Sequence, residues 1–200
     1  MHCELEETLR RRSAVGLVRL VRLAGLVGLV GLVSGAAWAQ TPTATVDAAA
    51  LQIPGGFRDR EVLVDRFLAA LSANDKDALL ALLVPADFYR DVIIPGTVAP
   101  DQPARQWSEK SRQFFTDNFF HKSSLYADVL LKDWGGRELM RKKISFTRPT
   151  QTYKWYTADG ELRVEVDAVP PTDGEPVVRT GFIAEINGTY KFIGFLHDDD

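Results

Sequence analysis

Cysteine is almost absent from this sequence, and its absence excludes several kinds of site. The one cysteine, Cys3, lies in an N-terminal segment that we expect to be removed. Without a thiol, the remaining chain can form no disulfide, no thiolate metal site and no cysteine nucleophile. A domain of about 160 residues buries enough surface to fold without such crosslinks.

Clustered positive charge and histidine are also scarce. Residues 40–200 hold 19 basic and 24 acidic side chains. Because nucleic-acid-binding proteins need a clustered basic face, we predict no nucleic-acid partner. The three histidines have no partners at metal-ligand spacing, so we predict no metal and no cofactor.

The N-terminal 39 residues have the pattern of a signal peptide. Arginines precede an apolar run from Leu23 to Val33, and Ala37-Trp38-Ala39 resembles a cleavage site. The run is shorter than the roughly 20 residues that span a bilayer. We therefore predict cleavage after Ala39, a secreted or periplasmic protein, and no stable membrane anchor afterwards, with an uncleaved anchor as the alternative.

The rest of the chain divides into a linker, one domain and a short tail. Residues 40–56 are rich in threonine, proline and alanine and predict a flexible linker. We place the domain at 57–197, and 198–200 form an acidic tail.

Helical periodicity dominates the first half of the domain. Val64, Phe67, Leu68 and Leu71 have the spacing of one buried helix face. The predicted helices cover 58–73, 76–84, a short segment to about 91, 105–121, and 124–134, where Gly135-Gly136 is a C-terminal stop.

From Glu138 onward the apolar period changes to two, which predicts antiparallel strands. We expect a turn at 158–161, a loop at 170–176 and a final hairpin around Asn187-Gly188, because Asn-Gly favours a two-residue turn. The predicted register pairs Ile186 with Thr189, Ile183 with Phe192 and Phe182 with Ile193. Thr180 and Val178 would then face Phe195 and His197.

Both faces of this hairpin are largely apolar, so we expect helices, a ligand cavity or a second subunit to cover each. Helices followed by an antiparallel meander predict an α+β fold, with the N-terminal helices packed on the C-terminal sheet.

The stretch FLAALSANDKDALLALL and the closing TGFIAEINGTYKFIGF resemble the nuclear transport factor two-like superfamily, which includes SnoaL-type cyclases and ketosteroid isomerases. The resemblance covers about residues 57–197. It implies a cystatin-like, curved sheet that forms a cone with an apolar pocket, and a homodimer interface on the outer sheet face. The helical and loop-like stretch 85–136 departs from the family, which often has a short hairpin there.

Several polar and aromatic side chains are candidates for such a pocket. A carboxylate or histidine held among apolar groups has a pKa suited to acid–base chemistry, and the weak catalytic candidates are Glu185, His121, Tyr153 and Asp167. Glu185 and Arg179 share a hairpin face, where a structural ion pair is the alternative. The candidate ligand-binding residues are Trp107, Tyr126, Trp134, Tyr153, Trp155 and Phe192, each of which also suits an ordinary core.

Three functions therefore remain open. The first is binding of a small apolar or amphipathic molecule in a cone-shaped pocket without catalysis. The second is an isomerase, dehydratase or cyclase. The third is an interaction module that dimerises or docks a partner.

Overall fold

The computed structural model describes residues 46–172 and 174–195. Several predicted features lie outside these residues: the signal peptide, the first part of the linker, His197 and the acidic tail. The described part of the chain is an α+β fold in which N-terminal helices pack on a curved antiparallel sheet, as the sequence predicts.

Side-chain caps begin the first two helices. In α1 (Arg60–Ser72), the carboxylate of Asp59 accepts a hydrogen bond from the backbone N–H of Glu61 at 2.7 Å. Asp75 caps α2 (Lys76–Leu80) in the same way, through the N–H of Ala78 at 2.9 Å. The predicted inward face of α1 is confirmed, because all four of its apolar residues are buried.

The second helix ends before the predicted residue 84 because the chain after it pairs with the last strand. The N–H of Val84 donates to the carbonyl of Phe192 at 2.9 Å, and the N–H of Phe192 donates to the carbonyl of Leu82 at 3.1 Å. These bonds cover part of an otherwise open sheet edge. Three short helical segments follow: α3 (Ala86–Phe88), a π-helical turn (Tyr89–Ile93) and α4 (Ile94–Gly96).

The prediction of two helices over 105–134 is wrong, because one continuous helix, α5 (Glu109–Trp134), fills this stretch. Ser108 caps its first turn through the N–H of Ser111, whereas Ser124 lies in its interior. No glycine or proline interrupts the segment, so nothing in the backbone ends the helix before Gly135. The predicted stop at Gly135-Gly136 is confirmed, with Gly136 at φ +74°.

Within the described residues, five strands form one sheet: β1 (Glu138–Thr152), β2 (Thr157–Val169), β3 (Val177–Thr180), β4 (Phe182–Ile186) and β5 (Thr189–Gly194). The order is β1-β2-β4-β5, and β3 pairs with β2 beside β4. The pairs Leu162–Thr180 and Ala158–Ala184 belong to one continuous register along β2. The strands β3 and β4 are therefore two halves of one interrupted strand, and the described pairs of β5 are all with the second half.

The Asn-Gly turn is confirmed, since Asn187 and Gly188 have φ angles of +47° and +73°. The pairs nearest the turn also match the prediction, including Ile183 with Phe192. Beyond them the register shifts by one residue, and Phe182 pairs with Gly194 instead of Ile193. On their β2 side, Thr180 pairs with Leu162 and Val178 with Val164. The predicted pair of Thr180 with Phe195 is not among the pairs of the described residues, and the predicted pair of Val178 with His197 lies outside them.

The predicted turn at 158–161 is also wrong, because these residues lie inside β2 and the chain reverses at 153–156. A glycine at position 160 allows side chains of the neighbouring strands to approach the backbone of β2 closely, and it does not form a turn. A Cβ atom there would lie 2.8 Å from Cβ of Arg148 and 3.1 Å from a ring carbon of Phe182.

Two apolar clusters cover the hairpin, one on each face, so the prediction of cover on both sides is confirmed. The larger cluster lies under α1, α2 and α5 and centres on Phe67, Phe192 and Phe195. The smaller one joins Ala184 and Ile186 to the segment 84–96 and to Tyr156. Helical segments thus provide the cover on these faces.

Residues assigned to the linker also pack on the hairpin. Ile53 is 2% exposed, and its N–H donates to Oγ1 of Thr189. The amide of Asn187 donates to the carbonyls of Ala48 and Leu51, each at 2.9 Å. The packed domain therefore begins several residues before Phe57.

Candidate functional site

A groove with a volume of about 520 Å³ lies between the C-terminal half of α5 and the segment that leads into β3. Three distant parts of the sequence meet there. They are residues 126–137, residues 172 and 174–179, and Phe195 directly after β5. The groove lies beyond Gly194, the last residue of β5, on the side of β3 where no strand of the described residues pairs with it.

Apolar and aromatic side chains make the floor of this groove, and charged side chains surround them. The floor residues are Tyr126, Val129, Leu130, Trp134, Val177 and Phe195. The charged residues are Lys132, Asp133, Arg137, Glu175 and Arg179. An apolar surface bordered by a few polar groups is typical of small-molecule sites.

Arg137 holds one wall of the groove in place. Its guanidinium donates to the carbonyls of Pro170 and Pro171, at 2.9 and 3.1 Å, and to the carbonyl of Asp133 at 3.3 Å. These bonds fix the start of the loop between β2 and β3 against the end of α5. Arg137 therefore positions the wall, and its Nε and Nη1 donors are engaged by carbonyl groups.

The structure brings two of the six predicted ligand-binding residues to the groove, Tyr126 and Trp134. Phe192 is fully buried in the main core. Trp155 packs over Gly96, and Tyr153 stacks on Tyr156 with ring centroids 4.7 Å apart. Trp107 contacts Phe115 edge to face at 4.8 Å, near the start of α5.

The four predicted catalytic residues do not come together at this groove. Both carboxylate oxygens of Glu185 have local partners: one accepts from Oγ1 of Thr157 at 3.0 Å, and the other from the N–H of Gly188 at 2.7 Å. The alternative ion pair of Glu185 with Arg179 is not formed, because Arg179 contacts Glu175.

The remaining candidates are likewise engaged elsewhere or exposed. Asp167 is an exposed partner of Lys142, and the hydroxyl of Tyr153 donates to Gln151. His121 is exposed on α5 and does not line the groove.

Sequence reasoning missed most of the groove residues. The sequence predicts Leu130 and Phe195 only as apolar positions of a helix face and a hairpin face, and Glu175 lies in a predicted loop. It does not single out Val129 and Val177. No local signal marks them, because the groove depends on where β5 ends relative to β3.

A separate cluster of tyrosines lies around the π-helical turn. Tyr89 stacks on Phe119 with centroids 4.4 Å apart. The hydroxyl of Tyr156 lies 2.8 Å from that of Thr97, which donates to the carbonyl of Ile93 at 2.7 Å. Burial raises the pKa of Tyr89 to about 12, and burial also raises the pKa of Tyr156.

These raised pKa values predict a loss of stability above pH 10. In the unfolded chain the phenols ionise near pH 10, whereas in the folded protein they stay protonated, so rising pH favours unfolding. Each tyrosine should lower the free energy of unfolding by about 1.4 kcal/mol per pH unit between its two pKa values. The free energy of unfolding can be measured with denaturant at several pH values from 9.5 to 11.5. Its decrease per pH unit should be smaller for Tyr156→Phe than for the native protein. Equal decreases would contradict this assignment.

Lys191 is a further buried ionisable group, and its hydrogen bonds hold parts of the backbone together. Its ammonium donates to the carbonyls of Ala81 and Leu83 at 2.8 and 3.2 Å, after the end of α2. Burial lowers its pKa. The lysine therefore ties the chain after α2 to β5 and does not line the groove.

Within residues 46–172 and 174–195, no cluster of histidine, cysteine and acidic side chains has the geometry to hold a metal ion. Over the same residues, no helix is both long and apolar enough to cross a membrane.

Comparisons with known proteins give no relative for this chain: no family model, curated protein or solved structure matches it.

Proposed function

We propose that this protein is an exported domain that binds a small amphipathic molecule in the groove beside α5, without catalysing a reaction. The observation that carries the proposal is a concave, partly apolar surface with charged groups at its border. Its volume of about 520 Å³ lies within the range of roughly 300–1,000 Å³ that is common for ligand sites.

The composition of the groove supports an amphipathic rather than a wholly apolar ligand. Leu130 and Phe195 are almost fully buried beneath it, so an alkyl chain or ring system would lie on a rigid floor. Three cations and two carboxylates among the described lining residues would remain in contact with water and with a polar head. Removing apolar ligand surface from water provides the main free energy of binding.

The resemblance to the nuclear transport factor two-like superfamily is part of this proposal. Helices covering a curved antiparallel sheet accord with that architecture. Unlike the central cone of that family, the space between α1 and the sheet is filled by Phe67, Phe192 and Phe195. The proposed ligand therefore lies at the end of the sheet. Dimerisation through the outer sheet face stays a prediction.

Acid–base catalysis has less support than binding. The carboxylate of Glu185 is occupied by a turn N–H and a threonine hydroxyl, and His121 is exposed. A general base must reach the proton that it removes, and neither group lines the groove.

A pair of matched substitutions on α5 tests the binding site. Val129 and Leu125 are 49% and 51% exposed and lie one turn apart, but only Val129 lines the groove. Val129→Glu should weaken binding of decanol and decanoate by about tenfold, because it places a charge where the alkyl chain would lie. Leu125→Glu should change either affinity by less than about twofold.

Isothermal titration of the purified protein with both amphiphiles provides the measurement. Both substitutions are at exposed positions, so melting temperatures should stay within a few degrees of the native protein. Equal effects of the two substitutions would place the ligand elsewhere, and failure of both amphiphiles to bind the native protein would contradict the proposed function.

A further inference from the structure

Two arginines lie side by side where the groove meets the sheet. Arg163 in β2 and Arg179 in β3 are direct cross-strand partners. Like charges in directly opposite positions repel each other, and this lowers the stability of the strand pair unless an anion lies close to both. The position therefore favours a negatively charged group.

Glu175 is the anion that these arginines contact within the domain. One oxygen, Oε2, lies 3.5 Å from Nη2 of Arg163 and 3.5 Å from Nη2 of Arg179. In the part of the chain that the structure describes, neither guanidinium has another carboxylate partner. Two positive charges thus share one negative charge.

This shared contact is loose. A guanidinium binds a carboxylate best through two parallel N–H···O bonds of about 2.7–2.9 Å, and both observed distances are at the upper limit for a hydrogen bond. The side chain of Glu175 is also 63% exposed, and such surface ion pairs contribute little to stability. An incoming anion could displace Glu175 at small cost.

The arginine pair is close enough to the groove to hold one end of a ligand. Arg179 and Glu175 both line the groove, together with the floor residues Val177 and Phe195. A molecule whose apolar part lies on this floor can therefore present its polar end to Arg179.

We propose that the ligand is an anionic amphiphile with a single carboxylate-like head, which replaces Glu175 as the partner of Arg179 and Arg163. This inference rests on the proposed function and adds the charge class of the ligand. A carboxylate and a sulfate head provide the same pair of acceptor oxygens, so the test includes both.

Four decyl compounds with different heads separate the contributions of charge and chain. They are decanoate, decyl sulfate, decanol and decyltrimethylammonium, each titrated calorimetrically into the purified protein at pH 7.5. Decanoate should bind about tenfold more tightly than decanol, since a charge-assisted hydrogen bond adds to the same apolar contact. Decyltrimethylammonium should bind no better than decanol.

Substitutions around the arginine pair identify the group that binds the head. Arg179→Gln should weaken decanoate binding by about tenfold and leave decanol binding unchanged. Lys132→Gln is the matched control, because it removes another lining cation and should change decanoate binding less than about threefold. Glu175→Gln should strengthen decanoate binding severalfold, because it removes the competing carboxylate.

The outcomes distinguish this inference from the proposed function. Suppose that decanoate and decanol bind the native protein equally well and that Val129→Glu weakens the binding of both. This result would overturn the proposal that the ligand is anionic, but it would support the groove as the binding site. If Arg179→Gln and Lys132→Gln weaken decanoate binding equally, the attraction is a general effect of positive charge. This result would overturn the proposal that the arginine pair binds the head. If decyl sulfate binds as decanoate does, the head class is any oxyanion; if decanoate alone binds tightly, it is a carboxylate.

Discussion

Replacing Phe67 with alanine should lower the free energy of unfolding by about 3–5 kcal/mol, the usual cost of removing a buried phenylalanine ring. Phe67 is fully buried in the middle of α1. Its ring centroid lies 5.2 Å from that of Phe192 and 5.9 Å from that of Phe195. Alanine would leave a cavity between the helix and the hairpin, because the surrounding strands cannot collapse into it.

Denaturant unfolding monitored by circular dichroism measures this effect. Phe114→Ala is the matched control, since Phe114 is 64% exposed and its removal should change the free energy of unfolding by less than about 0.5 kcal/mol. A cost below about 1 kcal/mol for Phe67→Ala would contradict tight packing of α1 on the hairpin.

Substitution of Gly194 by alanine should cost about 1–3 kcal/mol, the typical cost of overpacking a core. A Cβ atom at Gly194 would clash with Cζ of Phe119 and lie 3.1 Å from Oγ of Ser123. The ring of Phe119 cannot move freely, because it stacks on Tyr89. The glycine therefore sets how closely β5 approaches α5.

A second substitution distinguishes the clash with Phe119 from any other cost of an alanine at position 194. Phe119→Leu shortens the side chain that the new Cβ would meet, so Gly194→Ala should cost at least 1 kcal/mol less in the Phe119→Leu background than in the native protein. Gly174→Ala is the control glycine, because a Cβ there has nothing within 4 Å, and it should be nearly neutral. Additive effects of Gly194→Ala and Phe119→Leu would contradict the direct contact.

Local signals in the sequence predicted the elements that depend on few neighbours. The four apolar residues of α1 repeat at helical spacing, and each is buried. Asn187-Gly188 favours one turn type whatever surrounds it, so the turn and its nearest pairs are as predicted. The fold class follows from these two patterns together.

Features that depend on distant contacts could not be predicted in this way. Gly160 suggests a turn from the sequence alone. In the structure it lies inside β2, where Arg148 and Phe182 of the neighbouring strands pack closely against it. The register shift at Phe182 lies opposite Gly194, the residue that contacts α5. Of the candidate site, the sequence predicted Tyr126 and Trp134; the rest of the groove depends on where β5 ends.

The most direct test of the proposed function is to locate a bound amphiphile by paramagnetic broadening. A nitroxide-labelled fatty acid is titrated into isotope-labelled protein, and the loss of each amide signal is recorded. Binding in the groove predicts that the amides of Val129, Trp134 and Val177 lose intensity first. Selective broadening around Trp107 and Phe115, where exposed aromatic rings lie at the start of α5, would place the ligand outside the groove and contradict the proposal.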